Sequence, residues 1–375
     1  MSSVTIPVIA VLRNSYGLMQ ESETTWEMLE SEYSHGSFWD VSFLNSTHGW
    51  IVGSENSTFA SDLIVLYTND SGDSWQLQYR DDFGFGATID VLDEQTVWVT
   101  GSSGSLFYSL NGGNTWNESD VAGAIGGMST VKFINKTHGW TASNEVLYLT
   151  KNGGQTWEPV SGWSFDDHPK MMQPLTNLDI WACGFGGTYH STDGGETWER
   201  SSNRGGWALS FVSATEGWVI DDSRLAHTSD GDTWEELVIP MRAPLFRFNP
   251  PYTTDIQFLD ADNGWIVGTE IAVMYTPDGG TNWYEQNVPA DVRSQNPRIR
   301  ALDFINETNG WAVGTGGTIL RTRTGNVLGS RLWKGMTDPL FLTIVGVIAT
   351  VTIVTVGAIV KLKKRKSKSK SVEIQ

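Results

Sequence analysis

The residues best suited by type to do chemistry are acids, and they recur. Asp70, Asp193, Asp230 and Asp278, with Asn111 and Asn152 in register, sit in the pattern Ser/Thr-x-Asp/Asn-x-Gly-x-Thr/Ser-Trp. The copies end at Trp75, Trp116, Trp157, Trp198, Trp234 and Trp283; the one from Thr228 is a residue short, and Asn282 takes the Thr slot of the last. Other acids come in doublets at Asp81-Asp82, Asp166-Asp167 and Asp221-Asp222. Paired carboxylates facing a cleft can hydrolyse a glycosidic bond, one as acid and the other as base or nucleophile. Basic residues offer a second chemistry. Arg80, Lys170, Arg204, Arg242, Arg247, Arg293, Arg298 and Arg300 fall between the repeats, and Phe248 sits among them. Guanidinium groups beside aromatic rings bind carboxylates and anchor protein partners.

The spacing assigns the motif acids to structure. From Trp75, successive copies end 41, 41, 41, 36 and 49 residues on, a period that signals propeller blades. In such a turn Asp or Asn accepts hydrogen bonds from nearby backbone N–H groups. Gly supplies the positive φ, and Trp opens the next strand and buries a large apolar area. A second series, Trp50, Trp98, Trp140, Trp181, Trp218, Trp265 and Trp311, usually follows a Gly and counts seven units. The last unit ends at Thr324-Gly325-Asn326 without a Trp, whereas Glu23 to Leu29 reads as the tail of a motif plus an outer strand. The expectation is an all-β, seven-bladed β-propeller of four-stranded blades, with the N-terminal strand closing the last blade, because an unclasped ring would expose two sheet edges. The motif turns then share a face with the turns before the second Trp series. Connections between blades lie on the other face, around the channel mouth, and carry the basic candidates.

These repeats resemble the Asp-box repeats of bacterial neuraminidases. Their wording, in Gly310-Trp311-Ala312-Val313-Gly314 and Thr192-Asp193-Gly194-Gly195-Glu196-Thr197-Trp198, is most similar to the photosystem II assembly and stability factor family, over about residues 23–326. The resemblance implies a seven-bladed propeller that binds or assembles other proteins. The chain departs from that family in having no N-terminal lipoprotein cysteine and an apolar run at its C-terminus.

Composition sets the remaining bounds. A net charge of −18 disfavours nucleic acid as a partner. The charge is uneven, since residues 361–375 hold seven Lys and Arg against one Glu. The lone Cys183 forms no intrachain disulfide and reads as a small buried residue. Scattered His and Gly-Gly pairs that precede strands indicate no metal and no cofactor. Residues 340–360 carry no charge and are long enough to span a bilayer, and the basic residues after them place the C-terminus in the cytoplasm and the propeller outside. The expected organisation is an N-terminal segment 1–22 with a weak signal-like run, a propeller over 23–326, a stalk over 327–339, a span over 340–360 and a basic tail over 361–375. Sequons at Asn45, Asn56, Asn69, Asn117, Asn135 and Asn306 are candidate glycosylation sites outside the cytoplasm.

The functional expectation is a membrane-anchored propeller that recognises or assembles a protein partner through Arg80, Lys170, Arg242, Arg247, Phe248, Arg293, Arg298 and Arg300, with no catalytic residue. The alternative is a sialidase-like extracellular glycoside hydrolase. Against it, Arg298-Ile299 continues with Arg300 where an Arg-Ile-Pro element would be needed, and the units number seven where sialidases have six.

Overall fold

Each repeat folds as four short antiparallel strands because apolar residues alternate along its first strand and a turn signal interrupts the chain every few residues. Blade 1 shows the plan, with strands Ser37–Phe43, Gly49–Ser54, Leu63–Thr68 and Gln76–Asp81 paired in sequence order. The computed structural model describes residues 25–331 except 57–61, 83–85, 102–103, 125, 144–145, 161–168, 222–223, 240–251, 270–272 and 328–329. Seven such sheets follow one another. The inner strands of blades 2 to 7 are Gly86–Val91, Met128–Phe133, Pro169–Pro174, Ala208–Phe211, Thr253–Phe258 and Ile299–Phe304.

The seams between blades are aromatic and explain the Gly-Trp pairs. Five inner strands end in Phe, namely Phe43, Phe133, Phe211, Phe258 and Phe304, each paired across the strands with Gly49, Gly139, Gly217, Gly264 or Gly310. A Cβ on Gly217 would come within 2.3 Å of the Phe211 ring, so glycine lets the ring lie flat on the backbone. The ring's other side stacks on the Trp of the preceding blade. Centroids are 3.6 Å apart for Phe43 on Trp311, 4.6 Å for Phe133 on Trp98, 4.0 Å for Phe211 on Trp181 and 3.6 Å for Phe258 on Trp218. Blades 2 and 4 have Val91 opposite Val97 and Pro174 opposite Ile180, so where the ring is missing the glycine is missing too. All seven tryptophans of the series are buried.

The ring closes as expected. Strand Trp26–Met28 pairs antiparallel with Ile319–Thr322 and completes blade 7. Arg321, buried beneath it, binds Glu27 of the clasp at 2.6 Å and reaches blade 1 through Asp73 at 2.8 Å and the Ser71 carbonyl at 3.0 Å. The Trp26 indole donates to the buried Gln286 side chain at 2.7 Å, whose amide in turn donates to the carbonyls of Gly325 and Val327. One glutamine thus ties together the N-terminal strand, the connection from blade 6 and the chain leaving blade 7.

Two features differ from expectation. Blade 6 has five strands, because Ser330–Arg331 adds to its outer strand Tyr284–Glu285. The segment expected to begin a stalk at residue 327 therefore starts by pairing with the propeller. The connection before blade 7 contains a short helix, Ala290–Gln295, anchored by the buried Val292. Its polar run carries only one apolar residue facing the core, too few to read as a helical period. Among the described residues no helix is long and apolar enough to cross a membrane. The expected signal-like segment, span and basic tail lie outside the described residues.

Candidate functional site

Three regions hold the residues singled out by type. The first is the rim formed by the Asp-box turns. In each, the motif Ser or Thr hydroxyl donates to the acid or amide and accepts the glycine N–H, as Ser191 does with Asp193 and Gly195 at 2.8 Å each. The same Asp193 carboxylate accepts the Thr197 N–H at 2.9 Å and its hydroxyl at 2.5 Å. Asp70, Asp230 and Asp278 repeat these bonds, and Asn111 and Asn152 reproduce them with an amide donating to Thr115 and Thr156. Burial pushes the Asp70 and Asp193 carboxyls up, but bonds from the motif hydroxyls and N–H groups outweigh it and hold both below the usual range. Five of the six turns are pinned to the first turn of their own blade by a backbone bond, as by Ser71 N–H to the Thr47 carbonyl at 3.0 Å and Gly153 N–H to the Thr137 carbonyl at 2.9 Å. The motif turns and the turns before the second Trp series therefore share a face. With their oxygens engaged, the motif acids do structural work.

The second region is the channel, a cavity of about 440 Å³ lined by the inner strands. It contains Asp40, Asp90, Asp255 and Asp303, with Lys132 at 3.2 Å from Asp90. Sequence reasoning passed these residues over, because each is a single polar residue in an alternating strand. Their first role is to stitch the ring. Asp40 accepts the Ile89 N–H at 2.9 Å, Asp90 that of Phe133 at 2.7 Å, Asp255 that of Leu302 at 2.9 Å and Asp303 that of Phe43 at 2.5 Å, each in the next blade. Gln173, Ser210 and Gln257 do the same for Phe211, Phe258 and Phe304, and Ser129 donates to the Pro169 carbonyl, so every seam is bridged. Desolvation raises Asp40 to about 6, Asp255 to about 7 and Asp303 to about 6, against the lowering effect of their backbone bonds. Lys132 is pushed down by burial, yet Asp90 and Asp40 more than reverse that and hold it above its ordinary value.

A signal for this layer exists in the sequence. Ser42, Asp90, Lys132, Gln173, Ser210, Gln257 and Asp303 each lie eight residues before a Trp of the second series, and all are polar between apolar neighbours.

The third region is the channel mouth at the other ends of the inner strands, remote from the Asp-box turns. Arg300 lies 3.3 Å from the Trp39 ring centre and Arg298 4.8 Å from that of Tyr252. Lys170 lies 4.7 Å from Phe185 and 5.7 Å from Trp207, two rings packed edge to face. Trp39, Trp207, Tyr252, Arg298 and Arg300 surround a cavity of about 340 Å³. Among the described residues none of Lys170, Arg298 and Arg300 has a carboxylate partner, and the Arg300 Nε and Nη1 are buried without an acceptor there. Desolvation and then the Arg298 charge lower Arg300 to about 10, while desolvation lowers Lys170.

The remaining candidates are placed elsewhere or lie outside the described residues. Arg80 is on the outer strand of blade 1 and pairs with Glu55 at 2.6 Å. Arg293 pairs with Glu285 at 3.3 Å and Arg204 with Glu236 at 3.0 Å. Arg242, Arg247 and Phe248 are not among the described residues, nor are Asp166, Asp167 and Asp222. Asp81 and Asp82 lie at the end of an outer strand, and Asp221 pairs with Arg224. Cys183 is buried, and desolvation raises its thiol far above the ordinary value. The side-chain carbonyls of Asn45, Asn135 and Asn306 accept the N–H and hydroxyl of Thr47, Thr137 and Thr308, so turn chemistry accounts for Asn there. Asn69 and Asn117 are exposed and Asn56 is half-buried. Among the described residues no group of His, Cys, Asp or Glu is arranged to hold a metal.

Fold and site together define a seven-bladed Asp-box propeller with a basic, aromatic mouth. The chain belongs to the Photosynthesis system II assembly factor YCF48 family, whose model matches residues 18–158 and 248–371. The BNR/Asp-box repeat model matches residues 189–200. A curated relative, the Photosystem II assembly lipoprotein Ycf48 of Synechococcus sp. (strain CC9902), is 29% identical over 98 residues, which are 25% of this chain and 27% of that protein. The chain thus matches about a quarter of that relative's length. Among solved structures, YCF48 bound to D1 peptide is 19% identical and covers 81% of this chain and 98% of its own, with a TM-score of 0.64. YCF48 from Cyanidioschyzon merolae is 18% identical, covers 81% of this chain and 100% of its own, and has a TM-score of 0.63. A GH74 xyloglucanase from Xanthomonas campestris shares the fold at 12% identity and a TM-score of 0.61, over 80% of this chain and 54% of its own.

Proposed function

We propose that this propeller is a protein-binding assembly module whose partner docks an anionic segment on the mouth formed by Lys170, Arg298 and Arg300. One observation carries the reading. These three cations rest on aromatic rings and have no carboxylate partner among the described residues, on a chain whose net charge is −18. A desolvated guanidinium left without an acceptor is costly and is offset when a partner supplies the carboxylate. The aromatic rings hold the cations in place and add contact area, as protein-binding hot spots do. Membership of the YCF48 family and the likeness to YCF48 bound to D1 peptide support a peptide segment of another protein as the partner class. A glycosidase reading gains less support, because Asp81 and Asp82 lie at the end of an outer strand and Asp221 is paired with Arg224.

In this reading residues 340–360 anchor the protein, the basic tail is cytoplasmic and the propeller lies on the opposite side of the membrane. Co-purification of the full chain from its native membranes, as wild type and as Lys170→Glu/Arg298→Glu/Arg300→Glu, tests the docking site. The expected result is that one set of neighbours is lost with the charge-reversed mouth; an unchanged set of neighbours refutes it. Protease added to intact cells tests the topology, since a protected propeller would place it in the cytoplasm.

A further inference from the structure

We propose that the channel is a proton-operated regulator of the mouth above it: when Asp40, Asp255 and Asp303 take up protons, an anionic partner binds more tightly. The inference rests on the mouth being the binding site.

The geometry behind it is one continuous cavity. Lys170 and Arg300 line the same space as Asp40, Asp90, Lys132, Asp255 and Asp303, and among the described residues these seven are the charged ones that line it. Four carboxylates oppose one ammonium inside, and Lys132 is engaged with Asp90. Ionised, the other three carboxylates leave a negative field directly below the mouth cations, an internal competitor for the charge a partner would use. None of the three has an ion pair within 4 Å among the described residues, and the backbone N–H groups they accept stay in place whichever form they take. Protonation therefore removes charge without dismantling the seams. Burial favours the neutral form of all three, which brings their titration close to neutrality. The channel alternates between a strongly negative and a nearly neutral interior over a narrow pH window. Three charges acting over about a Debye length amount to roughly a tenfold change in the affinity of an anion.

The test uses a probe that does not titrate itself. Naphthalene-2-sulfonate combines an aromatic face with a permanent negative charge, and its binding to the full chain is read by calorimetry at constant ionic strength, at about pH 5.5 and about pH 8. Wild type is expected to bind roughly tenfold tighter at the lower pH. Asp40→Asn/Asp255→Asn/Asp303→Asn keeps an acceptor for each inter-blade N–H and is expected to bind at the tight level at both values. Asp255→Asn alone, a milder change, is expected to lose part of the dependence. Equal wild-type affinity at both values overturns the proposal. So does a pH dependence that survives in the triple variant, which assigns the effect to another group such as an imidazole. Arg298→Ala/Arg300→Ala separates the two readings. If the probe fails to bind wild type, or binds this variant equally well, the mouth reading itself fails and the channel inference with it.

Discussion

Aspartate occupies two settings in this propeller, and they pull it in opposite directions. On the rim, Asp70, Asp193 and Asp230 accept several short hydrogen bonds within their own turns and are held below the ordinary carboxylate range. In the channel, Asp40, Asp255 and Asp303 accept fewer bonds in a desolvated space and are raised to about 6, 7 and 6. The rim group recurs as a motif; the channel group is scattered over three blades. Recurrence in this chain marks a residue needed to make a blade. The irregular residues are those that differ in what they offer to a ligand.

The largest expected effect joins the two settings. Trp311 stacks on Phe43 at the ring seam and donates to the Ser71 carbonyl of a rim turn at 2.9 Å. Trp311→Ala should cost about 3–5 kcal/mol in a urea unfolding series. A loss under about 1 kcal/mol would mean that seam and rim are not mechanically coupled.

Next comes the rim alone. Asp193→Ala leaves the Thr197 and Ser191 donors without their acceptor and should cost about 1–3 kcal/mol while probe binding at the mouth stays unchanged. A binding defect at constant stability would reverse the assignment.

The pH profile sets the two groups against each other. Channel carboxyls with raised values bind protons more tightly folded than unfolded, so their ionisation costs stability as pH rises from about 4 to about 7. Rim carboxyls with lowered values stabilise the fold above about pH 4, and that stability is lost as pH falls further. Stability should therefore peak near about pH 4, and fall by several kcal/mol by about pH 8 through the channel alone. A melting temperature that climbs steadily from pH 5 to pH 8 would contradict the channel's place in the comparison.

The smallest effect sharpens the contrast. Arg298→Glu should move stability by no more than about 0.5 kcal/mol, as for an exposed position. Binding should be lost all the same.

How much was legible follows from the same division. The turn motif and the Gly-Trp pairs announced blades, and the N-terminal Trp26 announced the clasp, because each demands a particular residue type at a fixed distance. The Phe that explains each glycine escaped notice, since a Phe six residues upstream looks like any apolar strand residue until the ring is seen lying on the glycine. The channel acids were invisible singly, as each is one polar residue in an alternating strand. The mouth was half legible. Sequence reasoning picked out the basic residues between repeats, but it does not say which cations neighbours have already neutralised, and Arg80 and Arg293 lie beside acids. The fifth strand, Ser330–Arg331, carries no signal because a two-residue pairing needs no pattern.

That added strand has a mechanical consequence. Tension applied to the chain beyond residue 331 loads the two-residue pairing on blade 6 first, and then Gly325 and Val327 where they meet Gln286, the glutamine that also holds the clasp through Trp26. The exit point and the latch are neighbours. A pull from that end would be borne by the one joint where the ring is not covalently continuous, so the propeller's resistance to force is set there while the other seams stay unloaded.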